Sequence, residues 1–96
     1  MNERARAILH FWFNESSMDE RFSNNEVFDQ KIKDSFFEDY EKAINNEYDK
    51  WQDNAKECLA LIIILDQFSR NLFRNNSKAF AMDTKARLIV NVAIKR

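Results

Sequence analysis

The sequence predicts an all-α domain of four helices in antiparallel pairs, and three observations carry that reading. Glycine and proline are both absent from the 96 residues, where average usage would supply about seven and about five per hundred. Neither Asn-Gly nor Asp-Gly occurs, so a multi-stranded sheet would lack its ordinary tight turns. Apolar residues recur at three- and four-residue spacing through most of the chain, which is the mark of helices with one buried face. With 45% hydrophobic and 32% charged residues, the chain is too apolar for intrinsic disorder and of a length for one modest core, so residues 1–96 are expected to form a single domain.

Helix one is expected where Ala5, Ile8, Leu9, Trp12 and Phe13 fall on one face. Residues 14–24 form a polar connection, and Ser23 followed by Glu26 has capping-box spacing for the start of helix two. Phe28, Ile32, Phe36, Tyr40 and Ala43 line that helix, which Asn45 and Asn46 end. After a short stretch holding Trp51, Asp53 or Asn54 caps helix three, with Glu57 three residues past Asn54. Residues 58–65 are apolar all round, the pattern of a central enclosed element. A buried strand is the local alternative for Leu61 to Leu65, and the missing turn residues favour helix. The pattern breaks over residues 70–76, and Ser77 is then read as the cap of helix four, with Ala79, Met82, Ala86, Ile89, Val90 and Ala93 facing inward. Lys95 and Arg96 suit a helix C-terminus electrostatically.

Several function classes fall away on chemistry. Phosphate-cradling loops need glycines for close backbone approach, so the usual Walker and Rossmann motifs are excluded and no nucleotide cofactor is expected. The single cysteine, Cys58, permits neither an internal disulfide nor a cysteine zinc site, and His10 is the only histidine, so no metal is expected. Cys58 reads as a small buried hydrophobe and His10 as a hydrogen-bonded structural residue. The net charge is −1 without a basic stripe, so nucleic acid is not an expected partner. The eight-residue apolar run at 58–65 is far short of the roughly twenty residues that span a bilayer. The N-terminus shows no cleavage-site pattern, so the expected location is the cytoplasm, away from membranes.

The densest polar cluster is residues 65–74, Leu-Asp-Gln-Phe-Ser-Arg-Asn-Leu-Phe-Arg. If helix three continues through it, Asp66 and Arg70 lie four apart on one face, as do Gln67 and Asn71, and both pairs can bond. An acid just inside an apolar helix is costly to bury unpaired, so an Asp66–Arg70 pair serves structure. The sharper reading makes Asp66, Gln67, Arg70, Asn71 and Arg74 a ligand site, because guanidinium groups grip carboxylates and phosphates bidentately. The geometry that separates the two is simple. Arg70 neutralised by Asp66 is a fold lock, whereas Arg70 and Arg74 aimed together into an open groove are a binding site.

The same segment resembles the signature of a bacterial family catalogued as domain of unknown function 924. The likeness extends to the aromatic stretch at 8–13, to Phe28, Asp29 and Phe36, to Trp51, to the runs 59–68 and 70–74, and to Ala79, Phe80, Asp83 and Ala86. Ser69 departs from it, standing where the family usually has proline. The resemblance implies a tetratricopeptide-like α-α superhelix, although the tetratricopeptide pattern itself is not visible in these residues. It also implies that this chain corresponds to the N-terminal half of a longer family domain, a fragment or one part of a split protein. It implies no established activity. Two function classes therefore stand: a binding or scaffold module for a protein or peptide without activity of its own, and a small-anion or enzymatic site built on the 66–74 cluster. A truncated helical stack would also leave an apolar stripe on helix four, through which the chain is expected to self-associate.

Overall fold

A backbone with no glycine and no proline has few cheap places to stop a helix, and its interruptions fall at asparagines. In the computed structural model, residues 1–22 and 25–95 are described, Phe22 by its backbone alone. Among them there is no strand. Helix α1 spans Glu3–His10 and ends in a wide π-turn over Phe11–Glu15. Short α2 covers Met18–Phe22, and α3 is the long element, Glu26–Ile44. A 3-10 turn at Asp49–Asp53 leads to α4, Ala55–Ile62, which passes through a π-helical segment at Ile63–Phe68 into α5, Ser69–Leu72. A second 3-10 turn, Ser77–Phe80, precedes α6, Asp83–Ile94.

Asparagine side chains accept from the open backbone N–H groups at four starts: Asn2 for α1, Asn25 for α3, Asn54 for α4 and Asn76 for the Ser77 turn. Asparagines also take the left-handed backbone that glycine would otherwise supply, at Asn46 (φ 66°) and Asn75 (φ 63°). The expected Ser23–Glu26 capping box includes Ser23, outside the described residues, and Arg96 is also outside them. A capping box does form earlier, inside the expected connection. Ser17 Oγ accepts from the Glu20 N–H at 3.1 Å while Glu20 accepts from the Ser17 N–H at 3.0 Å, and α2 follows.

Two expectations are corrected. Ser77 does not cap helix four. Asn76 caps a separate 3-10 turn there, and α6 starts six residues later with no side-chain cap. Phe13 does not join the core. The wide π-turn after His10 changes the phase of the helix, so Phe11 turns inward onto Phe28, Phe36 and Phe68 while Phe13 stays 52% exposed. Residues 61–65 are helical, as the missing turn signals required.

The helix running from Ala55 to Leu72 is the axis of the molecule. Its first half packs between α1 and α6, and its second half packs on α3. Ile64, Leu65 and Phe68 are fully buried, and Phe68 sits 5.2 Å from the Phe36 ring centre and 5.7 Å from that of Trp12. Ser69, where the resemblance implies proline, is also fully buried at φ −60°, a value a proline ring would accept. Its hydroxyl lies 2.8 Å from the Leu65 carbonyl and 3.0 Å from that of Ala79, so it can tie the axis to the turn before α6.

Candidate functional site

The 66–74 cluster lies where the axial helix leaves its π segment, between α3 and the start of α6. Asp66 and Arg70 are one helical turn apart and pair at 2.5 Å. Arg70 also donates to the Asp66 carbonyl, reaches Asp83 on α6 at 3.4 Å, and stacks its guanidinium 5.3 Å from the centre of the Phe80 ring. Gln67 donates to the other Asp66 oxygen at 2.5 Å. A second group forms around Asp29 on α3. Arg74 grips its carboxylate bidentately, Nε to Oδ2 at 2.7 Å and Nη2 to Oδ1 at 2.8 Å, and buried Asn71 donates to the same Oδ1 at 2.9 Å. The hydrogen bond to Asp29 raises the Arg74 pKa above its already high ordinary value.

All five expected residues are thus neighbours, but they divide into two sets. Gln67 and Asn71, spaced to bond each other, turn to Asp66 and Asp29 instead. Asp29 and Asp83 complete the cluster. Both were conspicuous in the sequence as points of family likeness, yet no local pattern pairs them with arginines 45 and 13 positions away. Arg70 and Arg74 do line one open cleft, about 450 Å³, with Asn75, Asn76, Ser77 and Phe80. Both conditions set by the sequence reading are therefore met in part: the arginines border a groove, and carboxylates already engage them.

A second polar network is closer to a true burial. Asp39 on α3 is 3% exposed and accepts from the Tyr48 hydroxyl at 2.6 Å and from Arg4 at 2.6 and 3.2 Å. Burial first, and then the hydrogen bond to Asp39, push the Tyr48 phenol well above its ordinary range. Arg4's own hydrogen bonds to Asp39 raise its pKa above the ordinary value. The arrangement is a buried charge neutralised by its partners, and it ties α1 to α3. His10 is exposed beside Glu15, at 3.2 Å. Among the described residues no group of three His, Cys, Asp or Glu is placed to hold a metal ion, and no helix is long and apolar enough to cross a membrane.

A further surface feature is largely apolar. Two seams run along the outer side of α4. One, against α1, is bordered by Leu9 and Phe13 with Leu59. The other, against α6, forms a hollow of about 500 Å³ at Ala55, Cys58, Leu59 and Ala93 and continues past Ile62 into one of about 220 Å³ at Ala86 and Val90. Leu59, 42% exposed, stands between the two seams.

Compared with known proteins, the chain matches over residues 8–96 the family described as bacterial protein of unknown function (DUF924). It is also similar to a solved structure of a protein of unknown function, ATU0120, from Agrobacterium tumefaciens. The two share 35% sequence identity and a TM-score of 0.91, over 97% of this chain and 52% of that one. The chain therefore spans about half the length of that relative. No curated protein matches it.

Proposed function

The chain belongs to the DUF924 family of bacterial proteins of unknown function, and from its paired charges and open apolar seams we propose that it is a helical docking module. It binds a protein or peptide helix across the outer face of α4. The observation that carries this is the contrast between the two candidate surfaces. In the polar cluster every arginine already has a carboxylate, so an incoming anion would meet guanidinium groups whose charge Asp29, Asp66 and Asp83 already offset. Along the α1–α4 seam, by contrast, Leu59 of α4 and Phe13 of the turn after α1 stand exposed to water. Contiguous apolar surface rimmed by polar residues is the usual sign of an interaction face.

On this reading α1, α4 and α6 form one tier of the tetratricopeptide-like α-α superhelix that the family resemblance implies, and the seams are where a next tier or partner helix packs. The lone Cys58 fits a reducing, cytoplasmic setting. A second reading, a small-anion site, draws on one observation, that Arg70 and Arg74 border the same cleft.

One experiment separates the two. A fluorescent amphipathic peptide with leucines at i, i+4 and i+7 is titrated against the chain and against Leu59→Glu, a substitution at an exposed position. Saturable binding that the variant weakens by roughly tenfold or more supports docking, since a charge cannot enter a desolvated seam. In parallel, melts are recorded with phosphate and carboxylate metabolites. A rise in Tm that Arg70→Ala abolishes would put the anion site in front, because only binding to the folded state stabilises it.

A further inference from the structure

We propose that the occupant of the α4–α6 seam is a second copy of this chain, related by a two-fold axis passing near Ile62. This deepens the docking reading and rests on it. The two helices run antiparallel, because residues 53–62 share one hollow with Ala93 while Ile62 and Asp66 share the next with residues 86–91. Ile62 belongs to both hollows, so it marks where they adjoin in one trough, whose apolar lining is Ala55, Leu59, Ile62, Ala86, Val90 and Ala93.

The charges that line this trough are arranged for self-pairing. Asp53 lies at one end and Arg87 at the other, and both are exposed with no ion pair among the described residues. The third, Asp66, is committed to Arg70. A two-fold at the middle of an antiparallel trough carries each end of one protomer onto the opposite end of its partner. Asp53 then meets the partner's Arg87, and the partner's Asp53 meets Arg87, while Leu59 and Ile62 of both protomers cover one another. That is the self-complementarity an isologous interface demands. A parallel arrangement would leave both pairs unmet, and a head-to-tail one would leave one of them unmet.

The test is sedimentation velocity of the full chain over a wide concentration range, on wild type and four variants whose melts confirm folding. Wild type is expected to move from monomer to dimer as concentration rises. Leu59→Glu should weaken the dimer by roughly a hundredfold, because it places an unpaired charge in the interface. Asp53→Arg alone should weaken it roughly threefold or more, and adding Arg87→Asp to it should recover the wild-type value, since the pairs are restored with their signs exchanged. Leu88→Glu, also at an exposed position of α6 and outside the trough lining, should leave the dimer unchanged. A monomer at every concentration overturns the proposal. So does a dimer that Leu88→Glu breaks and Leu59→Glu does not, or a double charge swap that fails to recover. A monomer that still binds the helical peptide through Leu59 overturns the second copy alone and leaves the docking reading standing; a monomer that binds no peptide ends both.

Discussion

Tyr48 is a single hydroxyl on which a buried charge depends. Asp39 is nearly enclosed, and it accepts from that phenol, 2.6 Å away, as well as from Arg4. Removing one donor from a buried carboxylate costs about 1–3 kcal/mol, so Tyr48→Phe should lower stability near neutral pH by that order, read by chemical denaturation. The pH dependence follows from the direction of the shift. A phenol ordinarily ionises near about pH 10. Burial and Asp39 raise the folded value, so the unfolded chain ionises first. The contribution is complete below the ordinary value and declines as the pH rises above it. Wild type should therefore lose stability steeply on the alkaline side, and Tyr48→Phe should flatten that limb, leaving the part due to Tyr40, whose phenol is also raised by burial. Neither partner of this network was legible in the sequence. Asp39 sits one position from the exposed Glu38 on a helix most of whose polar residues face solvent, and only the arrival of Tyr48 and Arg4 from other elements makes its burial tolerable.

Among elements, the axial helix is the informative case, because its chemistry changes along its length. Residues 58–65 announce burial by composition alone, and that part of the fold was readable. The π segment that follows was not. Widening a turn costs ladder geometry, and nothing in Ile-Ile-Leu-Asp-Gln-Phe offsets it locally. Burial of Ile64, Leu65 and Phe68 holds it in place, and the Ser69 hydroxyl at its end approaches two carbonyls of the axis and one of the following turn. One proton serves one acceptor at a time, so the link to Ala79 competes with back-bonding along the helix. Ser69→Ala is expected to cost about 1–2 kcal/mol and to speed amide hydrogen exchange in Ser77–Phe80 more than in α4. Uniform acceleration through both elements would show that the hydroxyl serves global stability instead.

For the whole molecule, cooperativity rests on one aromatic cluster. Phe68 contacts rings from the α1 turn and from α3, so it joins both halves of the packing around the axis. Truncating such a ring costs about 3–5 kcal/mol, a large share of the roughly 5–15 kcal/mol that holds a small domain. Phe68→Ala should lower the melting temperature by roughly 15 °C or more or abolish the cooperative transition, followed by circular dichroism. An almost unchanged melt would mean that α1 and α3 are held to the axis mainly by their polar links, through Arg4–Asp39 and Arg74–Asp29.

What the sequence by itself determined is whatever local chemistry decides: the all-α class, the four longer helices, the stop at Asn45 and Asn46, and the buried run of the axis. Each is an outcome of backbone freedom and apolar spacing over a few residues, and asparagine could take the place of glycine because it tolerates the left-handed region. The five residues of the polar cluster were visible for the same reason, as a dense run on one helix. Their role was not. Asp29 engages Arg74 and Asn71 across 45 and 42 residues of chain, and a closed ion pair and an open ligand site are written with the same letters. Only the tertiary structure decided that the carboxylates arrive, that Phe11 and not Phe13 enters the core, and that the outer face of α4 is left to water, because each depends on which elements meet in space.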